Sequence, residues 1–355
     1  MNRFETRLQN LRKLLLREGV DAFLITSPIN VSYFTGHAGD DCNLYISFDE
    51  AIILTDFRYQ EMAESIPWLK FELLEAGNNL FDVVARQKET RIGLEKDHIL
   101  LIDYLNLQEK VHGKCFNPIE GLVEELRMVK DEYEIECTKK AADITCKTFD
   151  YMLNFIKPGL TEIDCANELE YQMKMLGAEG SSFNTILISG TKTSMPHGVP
   201  NRDVIHNNCF VTIDFGCKVN GYCSDMTRTF ALGSVTEKQK EVYNIVLEAQ
   251  LAACEGIKAD MTGQEIDAIA RNVINKAGYG KYFGHSLGHG TGLEIHELPR
   301  YSPEYKLPIK EGSVVSIEPG IYLPGEFGVR IEDLALVTKN GIINLEYAPK
   351  ELIII

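Results

Sequence analysis

Apolar residues recur at helical spacing over residues 2–18 (Asn2-Arg-Phe-Glu-Thr-Arg-Leu-Gln-Asn-Leu-Arg-Lys-Leu-Leu-Leu-Arg-Glu) and the pattern stops at Gly19, which predicts an amphipathic helix. A short apolar run over residues 20–26 reads as a strand, closed by Ser27-Pro28. Residues 30–36 form a short element leading into a Gly/Asp loop at 36–41, and residues 44–48 and 51–55 read as strands around a turn at Asp49-Glu50. Strands and helices keep alternating, with strands near 71–74 and 91–95, so residues 1–127 are expected to form a small α/β domain. A charged helical stretch over residues 123–143 carries the boundary, near Met128, to a second domain of residues 128–355. Its helix runs to about Phe155, where Lys157-Pro158-Gly159 stops it.

Two segments of the second domain are alike. Ile156-Lys-Pro-Gly-Leu-Thr-Glu-Ile-Asp164 and, about a hundred residues on, Ile257-Lys-Ala-Asp-Met-Thr-Gly-Gln-Glu-Ile-Asp267 each enter a helix through a capping threonine. Thr161 has Asp164 at the capping-box position, and Thr262 has Glu265. The self-similarity predicts two pseudo-symmetric halves that share strands and bury a central hairpin between paired helices. That hairpin is Phe210-Val-Thr-Ile-Asp-Phe-Gly-Cys-Lys218 and Tyr222-Cys-Ser-Asp-Met-Thr-Arg-Thr-Phe230, joined through Asn220-Gly221, a dipeptide suited to a type I′ turn. With Asn220 and Gly221 as the loop, Val219 faces Tyr222, Asp214 faces Thr227 and Asp225 faces Gly216. Strand alternation then puts Asp214 and Asp225 on one face as diagonal neighbours, their Cα atoms roughly 7–8 Å apart. Two carboxylates on an otherwise apolar hairpin repel and lose hydration unless cations offset them.

Composition narrows the field. At 355 residues, 45% hydrophobic and 25% charged, the chain is ordinary for a globular protein with two domains. A net charge of −16 argues against nucleic acid or an anionic membrane as partner and attracts divalent cations. Nine cysteines, with no Cys-x-x-Cys pair, make neither a disulfide framework nor a zinc ribbon, and buried free thiols are expected, Cys217 and Cys223 among them. The N-terminus lacks a signal-peptide core and no apolar run reaches a bilayer span, so a cytoplasmic location is expected.

Three of the eight histidines, His285, His289 and His296, fall in Tyr282-Phe-Gly-His-Ser-Leu-Gly-His-Gly-Thr-Gly-Leu-Glu-Ile-His-Glu297, where the glycines argue against a regular helix. Alone, this segment reads as a flexible loop. Glu318, in Ser313-Val-Val-Ser-Ile-Glu-Pro-Gly-Ile-Tyr322, reads alone as a solvated residue at a strand end. Arg330 and Glu332, on one face of a strand over residues 328–338, read alone as a surface ion pair. Their joint occurrence in one domain favours a site. Asp214, Asp225, Glu318 and Glu332 balance two divalent cations. One histidine among oxygen donors suits Mn2+, Co2+, Fe2+ or Zn2+ better than Ca2+. Two such cations about 3.5–4 Å apart activate a water and polarise a carbonyl, so metal-assisted hydrolysis is the expected reaction class.

These segments resemble the pita-bread (M24) metallopeptidase family, which includes methionine aminopeptidase, aminopeptidase P, prolidase and creatinase. The resemblance covers the whole chain and is strongest in the second domain. It implies an α/β creatinase-like N-terminal domain and an α+β pita-bread catalytic domain with an internal pseudo-two-fold repeat. It implies that Asp214 is a terminal ligand of one metal, that Asp225 and Glu332 bridge, and that His289 and Glu318 bind the other metal, with Glu318 also shuttling a proton. His197, in Met195-Pro-His-Gly198, is similar to the histidine that helps bind substrate and stabilise the tetrahedral intermediate. His296 is similar to the one that steadies the scissile amide, His285 to one that helps form the proline pocket, and Arg330 to an arginine near the site of Xaa-Pro enzymes. Two divalent ions, Mn2+ foremost, and a homodimer are implied with them.

The implied reaction is hydrolysis of the bond between an N-terminal residue and proline in a small peptide. Ile53-Leu-Thr-Asp-Phe-Arg-Tyr59 resembles the Thr-Asp-x-Arg-Tyr segment of aminopeptidase P. It sets that activity ahead of the alternative, a prolidase acting only on Xaa-Pro dipeptides. A non-catalytic peptide-binding protein of the same fold is a remote third reading, because such relatives lose metal ligands and all five ligand types are present here.

Overall fold

The amphipathic N-terminal segment is a helix, Arg3–Glu18, capped by Asn2 with a reciprocal bond to Glu5 and ended at Gly19 with φ 67°. Its Leu8, Leu11 and Leu15 are buried. The computed structural model describes residues 2–37 and 40–355; the loop expected at 36–41 lies partly on Ala38 and Gly39, outside the described residues. The chain divides into two compact units, Met1–Arg127 and Met128–Ile355. The first is built on a six-stranded mixed sheet in the spatial order Lys70–Leu73, Ala51–Thr55, Asn43–Ser47, Ala22–Ile25, Arg91–Glu95, Cys115–Ile119. Residues 123–143, expected as one helical stretch, are instead two helices, Leu122–Arg127 and Glu132–Phe155. Asp131 turns extended between them and caps the second through a reciprocal bond with Glu134.

The second unit carries the internal repeat. The helix pair Glu132–Phe155 and Glu162–Met175 is matched by Glu237–Gly256 and Gly263–Lys276. Ahead of the two caps the chain is tied in the same way: Ile205 N donates to Leu160 O and Ile309 N to Met261 O, each at 2.8 Å. Thr161 and Thr262 both cap, but only Thr262 completes the box, its N–H donating to Glu265 at 2.8 Å. Asp164, a methylene shorter than glutamate, takes the Thr161 hydroxyl instead, at 2.6 Å. The shared strands Cys209–Phe215 and Met226–Leu232 lie between the helix pairs. Val211 and Phe230 pack with Phe149 and Leu169 of the first pair, and Phe210 and Ala231 with Val246 and Ile266 of the second.

The hairpin keeps its expected register, Asp214 opposite Thr227 and Val219 opposite Tyr222, around Asn220 (φ 50°) and Gly221 (φ 80°). It is not one ribbon, however. Cys209–Phe215 and Met226–Leu232 belong to one sheet, Cys217–Val219 and Tyr222–Cys223 to another. At the break the Cys217 N–H donates to the Ser224 side chain (2.9 Å) rather than to a strand carbonyl. The two later strands also split. Val314–Ile317 pairs with Asp333–Thr338, and Gly320–Leu323 with Phe327–Arg330, leaving Glu318 and Glu332 at the crossings between sheets. Pro319, without an N–H, cannot extend the first ladder.

Candidate metal centre

Breaks in strands are what aim the carboxylates. Asp225, Glu318 and Glu332 each sit where a strand has just ended or is about to begin, and Asp214 is the penultimate residue of its strand. His289 is the middle residue of a short strand, Gly288–Gly290, with a register shift after it. This strand was expected as an irregular loop. Its glycines serve close packing: a Cβ on Gly288 would lie 2.0 Å from the Ser316 carbonyl oxygen of the strand Val314–Ile317. Asp225, His289 and Glu332 bring ligand atoms within 4.8 Å of one another. Glu318 Oε1 lies 3.3 Å, and Asp225 Oδ2 3.6 Å, from His289 Nε2. All nine residues singled out from the sequence line one cavity of about 600 Å³.

The supporting contacts fix orientation. His289 Nδ1 lies 3.1 Å from the Gly290 carbonyl, which orients the ring so that Nε2 faces the carboxylates. Ser316 Oγ accepts from His289 N (3.0 Å) and donates to Glu318 (3.1 Å). Thr227 donates to Glu332 (2.6 Å) and accepts from Arg330 Nε (3.0 Å). Arg330, expected to bind substrate, directs its other donors to Asp214, the Tyr322 hydroxyl and the Pro196 carbonyl. His285 has both ring nitrogens engaged, by the Ser286 carbonyl at 2.8 Å and the Tyr322 hydroxyl at 2.9 Å, and its ring packs edge-on to Phe283. His296 stacks edge-on to His289 with centroids 4.4 Å apart.

Electrostatically these groups are out of balance without cations. Burial, followed by the charges of Glu332, Asp214 and Glu318, pushes Asp225 well above the usual carboxylate range. Burial and the charges of Glu318 and Asp214 do the same to Glu332. Asp214 is raised by burial in spite of Arg330. Glu318 goes the other way: burial opposes ionisation, but the His289 hydrogen bond and neighbouring positive groups bring it down to about 2. Burial, His289 and Arg300 push His296 down to about 4, and burial lowers His285, so both imidazoles are neutral at pH 7. Asp214 Oδ1 is buried with no hydrogen-bond partner. An orphaned carboxylate oxygen, mutually repelling acids and an aimed imidazole nitrogen are the donor set of a divalent-metal site, and two cations fit it.

The sequence reading passed over Thr227, Ser316, Tyr322 and Arg300. Thr227 was reachable through the hairpin register, which set it opposite Asp214. Ser316 and Tyr322 are ordinary strand residues with no local signal. Arg300 ends a Leu-Pro-Arg run that says nothing about a cavity, yet it lines this one.

The chain matches metallopeptidase family M24 over residues 136–339 and the creatinase/prolidase N-terminal domain over residues 7–129. A curated Xaa-Pro dipeptidase of Pyrococcus furiosus is 40% identical over 98% of this chain and 99% of its own length. A solved Xaa-Pro dipeptidase from Bacillus anthracis is 42% identical with a TM-score of 0.96, over 99% of this chain and 100% of that one. An X-Pro aminopeptidase structure from Thermotoga maritima is 36% identical with a TM-score of 0.90, over 98% and 99%. Proteins of this family work with a dinuclear divalent metal centre, and the cluster around Asp225, His289 and Glu332 is the candidate for it. The chain thus belongs to metallopeptidase family M24, a hydrolase joining a creatinase/prolidase N-terminal domain to a pita-bread catalytic domain.

Proposed function

We propose that this protein is an Xaa-Pro dipeptidase, releasing free proline from Xaa-Pro dipeptides. The observation that carries the reading is the likeness, over nearly the whole of both chains, to relatives described as Xaa-Pro dipeptidases. This reverses the order expected from the sequence, where aminopeptidase P stood first. The Thr-Asp-x-Arg-Tyr segment behind that order ends a buried strand at Thr55 and continues as a short turn, Phe57–Tyr59, capped by Asp56. Asp56 accepts from the Arg58 backbone and pairs with its half-exposed guanidinium, which says nothing about peptide length.

Asp214, Asp225, His289, Glu318 and Glu332 would hold two divalent ions, with Mn2+ our first choice for a mixed oxygen and single-imidazole donor set. When bound, such ions supply Lewis acidity toward the scissile carbonyl and toward water. Glu318, close to that position, takes the proton of the attacking water and delivers it to the proline nitrogen. A tertiary amide has a poor leaving group until that nitrogen is protonated. Neutral His296, with His197, offers N–H donors to the carbonyl oxygen as charge develops there. His285, its polar atoms already engaged, forms a flat wall suited to the proline ring. Nine cysteines and the absence, among the described residues, of a disulfide support a reducing cytoplasm; the family resemblance supports a homodimer.

A dipeptidase must meet a free carboxylate close to the cleaved bond. Arg330 is spent on protein partners. The exposed Arg300 guanidinium, without a side-chain partner among the described residues, is left for that carboxylate. Arg300→Gln is expected to raise KM for an Xaa-Pro dipeptide roughly 10- to 100-fold with kcat little changed, the worth of one charge-assisted hydrogen bond. An unchanged KM contradicts this assignment.

A further inference from the structure

His197 and His285 reach the cavity on irregular segments, and the two halves of the repeat hold those segments by similar devices. In the first half the chain leaves the strand Ile186–Ser189, winds through the turn Gly190–Ser194 and presents Pro196, His197 and Val199 to the cavity. Glu162, the first residue of the helix Glu162–Met175, is fully buried. Its Oε1 accepts from the Ser189 backbone N–H (2.8 Å) and hydroxyl (3.2 Å), and its Oε2 from Lys192 Nζ (2.6 Å) and the Asn201 N–H (3.4 Å). One carboxylate therefore holds both ends of the His197 loop and its first turn. In the second half Asp267 accepts from Leu287 N at 3.0 Å, and its partner Arg271 donates to the carbonyls of Phe283 (3.0 Å) and His285 (2.8 Å). The carboxylate sits deeper in that helix because position 263, the counterpart of 162, has no room: a Cβ there would lie 2.0 Å from the Arg300 carbonyl oxygen.

We infer that Glu162 is a positioning residue: paired with Lys192, it fixes the loop that aims His197 at the scissile bond. It touches neither the metal ligands nor the cavity. Neutralising it leaves Lys192 with Asp203 as its remaining carboxylate partner (3.3 Å) and removes the buried charge that Ser189, Lys192 and Asn201 share across the loop. The kinetic consequence rests on the dipeptidase reading; the consequence for loop order does not.

The test uses Mn2+-loaded full-length protein carrying Glu162→Gln, Lys192→Gln, His197→Ala, or Glu162→Gln with His197→Ala. Glu162→Gln is expected to lower kcat/KM on an Xaa-Pro dipeptide on the order of 10- to 100-fold, the cost of a misplaced catalytic group, with metal content unchanged. The double variant is expected to be no worse than His197→Ala alone, and amide exchange over residues 190–203 to speed up in Glu162→Gln. Lys192→Gln, a milder change, is expected to show a smaller effect of the same kind. Fully additive losses in the double variant, or unchanged exchange over 190–203, overturn the inference. A wild type that leaves Xaa-Pro dipeptides intact defeats the dipeptidase reading instead, and the exchange measurement alone then decides the role of Glu162.

Discussion

Thr227 binds no cation in this account, yet its hydroxyl is held between Glu332 and Arg330 and faces Asp214 across the hairpin. Outer groups of this kind set the angle of a ligand and the order of its protons. Thr227→Val keeps the shape and removes both hydrogen bonds, so Mn2+ affinity is expected to fall about 10- to 100-fold by titration calorimetry. Equal affinity would show that Glu332 needs no such support. The acids make a second prediction, for metal-free protein. Asp225 and Glu332 are raised, so the folded chain keeps protons that the unfolded chain releases near pH 4. Their contribution to stability is complete below that pH and is lost as pH rises through the folded values. Asp333, held down by Arg228 and Lys350 against the effect of burial, titrates below this window and does not offset the loss. His285 and His296, lowered by burial, add stability as pH rises to the unfolded histidine value of about 6.5. The melting temperature of chelator-stripped protein is therefore expected to fall only above that, from about pH 7 to pH 8, and added Mn2+ to restore it there. A melting temperature that climbs with pH over that range in the stripped protein contradicts the assignment. At this scale the candidate carboxylate ligands were legible because carboxylates in apolar strands are anomalous. Thr227, Ser316 and Glu162 were not, because hydroxyls in strands and a glutamate at a helix start are common for local reasons.

The site is made by strands that stop. The hairpin splits beside Asp225, the run over residues 313–322 splits at Glu318, and the run over 328–338 splits at Glu332. Glu318 had been placed at a strand end, but the hairpin and the run over 328–338 had been expected as continuous, since periodicity records which face a residue occupies but not where a ladder passes from one sheet to the next. Hairpin register was legible for the opposite reason: Asn220-Gly221 determines it locally, and it persists across the break. The strand carrying His289 was hidden by its glycines, which look like loop residues until the neighbouring backbone is in place. Gly288→Ala would drive a methyl into the Ser316 carbonyl, whose residue also holds His289 and Glu318. Its expected cost is about 1–3 kcal/mol of stability by denaturant unfolding, together with weaker metal binding. A variant as stable as wild type would mean that the two strands separate freely.

Across the whole molecule, the repeat read from two capping threonines corresponds to two helix pairs on either side of shared strands. The candidate ligands come from the shared hairpin, Asp214 and Asp225, and from the second half, His289, Glu318 and Glu332. Sequence motifs led to the family and to metal-dependent hydrolysis of a bond to proline; they put aminopeptidase P ahead of the dipeptidase alternative, which the relatives favour, and the proposed determinant of peptide length, Arg300 at the cavity, carries no motif. The most direct measurement of the central claim is product analysis with Mn2+-loaded protein given Xaa-Pro and Xaa-Pro-Yaa peptides in parallel. The account predicts free proline from the dipeptide and an intact tripeptide; release of the first residue from the tripeptide at a comparable rate would contradict it.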